Sequence, residues 1–260
     1  PVPAKASAWP PLMGTDNQLS PEQTAQHVRQ SLPEGGLFAG HHWRIATRPF
    51  PLDKKIVRHL EQLGRLLLKF YKAANTIYHW SAEGRLPDWP IYWLDKGKPQ
   101  SIIDLQRNRA FRADLPRVIR PDILLTEDGL HITELDSVPG GIGLTTWLNH
   151  AYSKAGFKVI GGGNEMVEGF AGIFNDAAKV HLVISEESGT YRPEMEWLAA
   201  QLNPDRFFVQ GQDKADFAKG DAIYRFFELF DLPNIPAAES LLATAATKQI
   251  SITPPPKAFL

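Results

Sequence analysis

A chain of 260 residues with 43% hydrophobic and 22% charged side chains can bury a sizeable core, which excludes wholesale disorder. Its formal charge of 28 − 29 = −1 offers no excess of cations to a nucleic acid, so none is expected as a partner. There is no cysteine, which excludes disulfides, thiolate metal sites and cysteine nucleophiles and fits a reducing, cytoplasmic setting.

No window approaches the roughly 18 apolar residues of a membrane span, and no membrane partner is expected. The start, Pro1-Val2-Pro3-Ala4-Lys5, has no signal-peptide core and no initiator methionine, as in a processed or trimmed piece. Residues 1–19, rich in proline and small polar types, read as an arm. Ser20 as N-cap, with Pro21, Glu22 and Gln23 behind it, predicts a short helix ending before Pro33. Trp43 to Arg48 reads as a strand.

The strongest helical signal comes next. Ile56, Leu60, Leu63, Leu67, Phe70, Ala74 and Ile77 recur at spacings of three and four, one apolar stripe of a core helix. Leu86 to Gln100, with Trp89, Tyr92 and Trp93 between prolines, reads as a packed loop. From residue 118 two strand-like runs, Val118–Leu125 and Leu130–Asp136, flank Glu127-Asp128-Gly129, a strong hairpin signal. Pro139-Gly140-Gly141-Ile142-Gly143 breaks the chain before a helix over 145–152. Strands at 157–160, 180–185, 206–210 and 222–227 then alternate with helices at 164–175, 193–202 and 237–246. That alternation predicts a parallel, three-layer α/β unit.

The informative chemistry lies in the hairpin. Arg120-x-Asp122 is followed, twelve residues beyond Asp122, by Glu134-x-Asp136. Side chains two apart on a strand share a face, and the turn brings Asp122 back opposite the second pair. Three carboxylates gathered at one end repel unless a cation or an arginine compensates, and a hard divalent ion suits oxygen ligands. Arg120 suits a phosphate. The alternative is a solvated strand end with Arg120 paired to a carboxylate. The apolar residues of both strands (Ile123, Leu124, Leu125, Ile132, Leu135) favour a buried ribbon, in which unpaired charges would be costly.

The run from Arg120 to Gly143, R-P-D-I-L-L-T-E-D-G-L-H-I-T-E-L-D-S-V-P-G-G-I-G, resembles the metal-binding segment of the circularly permuted ATP-grasp ligases, glutathionylspermidine synthase and its relatives. The resemblance implies an ATP- and magnesium-dependent ligase that joins a small-molecule carboxylate to an amine through an acyl phosphate. It assigns Arg120 to nucleotide phosphate as a catalytic and cofactor-binding group, and Asp122, Glu134 and Asp136 to magnesium. Asp136 stands where the family has Asn. Ser137-Val138-Pro139-Gly140-Gly141 replaces the family's Asp-Thr-Pro loop, with Ser137, Gly140 and Gly141 as substrate candidates. Pro256-Lys257-Ala258 resembles the opening of the family's nucleotide-lysine segment and makes Lys257 an ATP contact. The family's remaining nucleotide groups lie downstream of that lysine, so this chain alone is expected to bind magnesium weakly and not to ligate.

The implied fold is α/β, glutathione synthetase- or ATP-grasp-like, with a Rossmann-like parallel sheet and an N-terminal helical part, truncated. Its parts are an arm and short helix (1–50), a helical segment plus carboxylate hairpin (51–156), a Rossmann-like, pre-ATP-grasp-like domain (157–247), and the start of a nucleotide-binding segment (248–260). The main cleft is expected between hairpin and sheet, roofed by 137–143.

Other signals are weaker. Gly161-Gly162-Gly163 could cradle a phosphate at a helix start, but Met166 breaks the G-x-G-x-x-G pattern and a tight turn is the simpler reading. His41-His42 lacks metal spacing. Ser185 to Gly189 comes after a strand and is either a ligand loop or a plain exposed one. Arg225 could contact an anionic substrate or form a structural ion pair. The rival to the ligase is a non-catalytic α/β binding module whose acidic hairpin holds a cation or is structural.

Overall fold

In a computed structural model, residues 18–39 and 44–260 are described. The early arm, His41-His42 and Trp43 therefore lie outside the described residues. The short helix forms as expected: α1 is Pro21–Gln30, and Ser20 and Gln23 exchange the two hydrogen bonds of a capping box. No strand forms at 44–48; this stretch is irregular, and its Ala46 carbonyl accepts from the Tyr152 hydroxyl at 2.8 Å.

The long stripe becomes α2, Lys54–Ala82, started by Asp53, whose carboxylate accepts the N–H groups of Lys55 and Ile56. Only part of the stripe is core. Leu67 is buried, whereas Phe70 and Ile77 are exposed. The segment read as a loop at 86–100 is mostly helical instead: α3 is Trp89–Asp95, and α4, Gln100–Arg107, begins at its end. Pro90, taken as a breaker, sits in the first turn of α3, where its missing N–H has no helical partner to lose.

The hairpin is β1, Arg120–Thr126, antiparallel to β2, Gly129–Asp136. Its register pairs Arg120 with Asp136 and Asp122 with Glu134, and slips by a bulge just after Asp122. The ribbon is not buried. Leu124, Leu125 and Ile132 are all exposed, and no third strand joins the ribbon among the described residues, although Ile123, Leu130 and Leu135 are half-buried.

Next come α5, Ile142–Lys154, and α6, Glu165–Gly172. The strand expected at 157–160 is absent; Phe157 and Val159 pack instead against the cluster formed by Val28, Phe38, Trp147 and Tyr152. The alternation beyond is real. Strand β3 is Val180–Ile184, helix α7 Arg192–Gln201, β4 Phe207–Gly211, β5 Ala222–Phe226, α8 Ala238–Ala246 and β6 Ser251–Thr253. They form one parallel sheet in the order β4-β3-β5-β6.

Strand periodicity sorts the side chains into two layers. Leu182, Ile184, Tyr224 and Phe226 face α6 and α7, meeting Phe170, Met195 and Leu198. Val183, Ile223 and Ile252 face α8, meeting Leu241, Leu242 and Ala245. The protein is thus an α/β molecule with helices on both faces of a parallel sheet. The stretch 248–260 supplies the fourth strand of this sheet before running back toward α2.

Candidate functional site

Neighbouring strands β3 and β5 lead into helices on opposite faces of the sheet. The crevice at their carboxyl ends is where open α/β sheets place ligands. The hairpin's Asp136 end meets this edge. The Asp136 charge and burial together push the Tyr71, Tyr224 and Glu228 side chains above their ordinary pKa values, burial being the larger cause in each.

Arg120 organises the hairpin end. Its Nε lies 3.2 Å from Asp122 Oδ1, its Nη2 3.2 Å from Asp136 Oδ2, and its Nη1 donates to the Gly140 carbonyl at 3.0 Å. Asp136 Oδ1 also accepts the Val138 N–H at 2.8 Å, which shapes the turn out of the strand. The guanidinium therefore ties both carboxylates to the 137–141 loop. Glu134 is Asp122's cross-strand partner and has no cation partner among the described residues. No three His, Asp or Glu groups among the described residues stand together as a ready metal cage. The expected triad is thus an Arg-bridged pair, Asp122 and Asp136, with Glu134 beside it.

Gly140 and Gly141, read as substrate contacts, have packing duties. A methyl group on Gly140 would overlap the Tyr191 ring. Gly141 caps α5 at φ 83°, a left-handed conformation that suits glycine. Its N–H donates to Glu194 Oε1 at 2.6 Å, and the Leu144 N–H donates to Glu194 Oε2 at 2.9 Å. Buried Glu194 thus occupies the α5 N-terminus as an internal acceptor. Burial raises its pKa, against the lowering by these backbone N–H groups. Reading the sequence alone missed Glu194, because it lies some fifty residues from the glycines it serves.

Lys257 is buried, and its Nζ donates to Asn75 Oδ1 at 2.7 Å, the Arg112 carbonyl at 3.0 Å and the Asp114 carbonyl at 2.7 Å. Burial lowers its pKa to about 8. All three donors serve the protein, so in this structure Lys257 is a clasp rather than a free nucleotide contact. Ser137 Oγ donates to the Leu260 carbonyl at 3.2 Å, and Phe259 stacks on Tyr78 with ring centroids 3.9 Å apart.

Ser137, Arg225 and Lys257 nevertheless border one cavity of about 300 Å³, with Lys98, Glu228 and Leu229. It shares Ser137 and Val138 with the expected roof but has no hairpin residue in its wall, and it is not the largest. A cleft of about 970 Å³ opens between α2, the 111–119 segment and the amino ends of β5 and β6, at the other edge of the sheet. No protein-family model, curated protein or solved structure matches the chain.

The remaining candidates are held in place by packing and local hydrogen bonds. In the Gly161-Gly162-Gly163 turn, a side chain on Gly162 would press on Ser153 and Val159, a packing reason for the glycine. In the 185–189 loop, Ser185 Oγ accepts the Ser188 N–H, and Glu187 shares a hydrogen bond with Asp231 that raises the Glu187 pKa. Arg225 makes no salt bridge among the described residues: Nε donates to the Pro254 carbonyl at 3.3 Å and Nη1 to the Phe227 carbonyl. The structural ion pair considered for it is absent there. Among the described residues no helix is long and apolar enough to cross a membrane.

Proposed function

We propose that this chain carries the metal-and-phosphate end of an ATP- and magnesium-dependent carboxylate–amine ligase of the circularly permuted, glutathionylspermidine-synthase-like ATP-grasp kind. The supporting observation is the register that sets Asp122 opposite Glu134 and Arg120 opposite Asp136, beside the carboxyl edge of a parallel sheet. Like charges directly opposite on a ribbon are destabilising, and Arg120 relieves only the Asp122 and Asp136 side of this group. Glu134 with Asp122 offers the oxygen ligands magnesium prefers, and that ion needs only one or two carboxylates when phosphates and water complete its shell. The donor set fits the ion as a two-carboxylate site.

Bound there, magnesium and ATP would supply the charge neutralisation that activating a carboxylate requires. The chain's own part is positional. Arg120, held at the strand start, presents a guanidinium that can exchange carboxylate partners for a phosphate, and the 137–141 loop it holds carries Ser137 toward the cavity. The reading places the protein in the cytoplasm with small-molecule carboxylate and amine substrates.

A second reading, a non-catalytic α/β binding module, is favoured by one observation: each nitrogen of Arg120 and every donor of Lys257 already has a protein partner. Magnesium titration monitored by backbone NMR separates the two. The ligase reading expects weak, saturable shifts confined to residues 120–122 and 134–140, lost in Asp122→Ala and in Glu134→Gln. Shifts that survive both substitutions, or none in the wild type, favour the module.

A further inference from the structure

Arg225 is 2% exposed, sits at the carboxyl end of β5, and has no carboxylate within salt-bridge distance among the described residues. Backbone carbonyls satisfy Nε and Nη1 but carry no net charge. Nη2 has no acceptor among the described residues, and Arg225 borders the 300 Å³ cavity. A buried guanidinium without a counter-ion is costly, and well-packed alternatives of similar volume are usually no less stable. Glu228, the nearest charged influence, borders the same cavity but forms no ion pair with Arg225 within 4 Å among the described residues. Lys98 adds a further cation to the wall beside Lys257, whose own ammonium is bonded to Asn75, Arg112 and Asp114, and Ile102, Val138 and Leu229 supply an apolar side.

We infer that this cavity is an anion-binding site in which Arg225 Nη2 anchors the carboxylate of a small organic acid whose apolar body packs on Ile102, Val138 and Leu229. The cavity volume is at the lower end for small-molecule sites, so the acid is small. With two of its nitrogens held by the protein, Arg225 meets the anion through one nitrogen rather than as a two-pronged fork. The site stands on cavity geometry alone. Identifying the acid as the one a ligase would activate rests on the function proposed above.

Isothermal titration without nucleotide or metal tests the site independently of that function. The probes are benzoate, its neutral isostere benzamide, and inorganic phosphate. Benzoate is expected to bind saturably at one site, and benzamide and phosphate each at least about tenfold more weakly. Arg225→Met should weaken benzoate by a similar factor, and Arg225→Lys should restore part of it. Ala258→Trp, which narrows the cavity and leaves Arg225 in place, should weaken benzoate even if Arg225→Met does not fold. Equal binding of benzamide, preference for phosphate, no saturable benzoate binding, or full binding by Ala258→Trp would each overturn the inference. Benzoate binding together with a failed magnesium titration would keep the anion site and remove the ligase.

Discussion

The two-stranded ribbon and the four-stranded sheet share short apolar runs but lie in opposite environments. Ile123-Leu124-Leu125 in β1 and Leu182-Val183-Ile184 in β3 are both unbroken apolar runs. Every residue of β3 is buried, whereas most of β1 faces outward. The difference lies in the connections that lead out of each strand. After β3 the chain supplies α7, and later α8, one for each face of the sheet. After β1 it supplies only a tight turn and a single partner strand. An apolar run reports that a strand can be buried; its connections decide whether it is.

The contrast can be broken most directly in the sheet. Leu182→Ala removes a fully buried side chain and should lower unfolding free energy by about 2–5 kcal/mol in urea denaturation. A smaller loss would mean that β3 is not the centre of the core. Glu194→Ala leaves the half-buried Gly141 and Leu144 N–H groups without their acceptor, and should lower stability by about 1–3 kcal/mol by the same measurement. That result would show that the loop between ribbon and sheet is held from the sheet side.

A pH experiment sharpens the comparison at α2. Burial, with Lys257 next, lowers the His79 pKa to about 4. Between that value and 6.5 the unfolded chain binds the proton and the folded one does not, so stability rises with pH across this window. Going from pH 7 to pH 5 should therefore remove about 2 kcal/mol through His79. His79 Nε2 has no hydrogen-bond partner among the described residues, so His79→Leu leaves no partner stranded and should flatten the dependence. Denaturation midpoints at the two pH values, wild type against variant, give the answer. The smallest effect belongs to the ribbon: Leu124→Ala should change stability by no more than about 0.5 kcal/mol. A loss like that of Leu182 would show the ribbon to be covered in solution.

The same division separates the legible from the illegible in the sequence. Local signals were legible: the Ser20 cap, the hairpin turn, and the short β-rich runs that became β3, β4 and β5. The register of Asp122 and Glu134 was legible too, because it needs only a turn and a period of two. Burial of the ribbon was misjudged, since nothing local states that no third strand joins it. Helix α3 was missed because Pro90 and the aromatic residues around it were read as breaks rather than as a first turn. The partners of Lys257 and of the glycine loop were out of reach for another reason. Asn75 is 182 residues from Lys257, and no periodicity links such positions.

That separation also has a meaning in time. Lys257 reaches carbonyls of Arg112 and Asp114 and the side chain of Asn75, while β6 closes the sheet a few residues earlier. Arg112 leaves the ribosome 145 residues before the lysine that will hold it. At about 5–20 residues per second, α2 and the loop after it wait roughly 7–30 s for their fastening. Through that interval the apolar stripe of α2, with Phe70 and Ile77 outward even in the finished fold, is open to whatever else is in the cell. The step that fastens α2 comes some 145 residues after the loop it holds, and the long helix made before it depends on it.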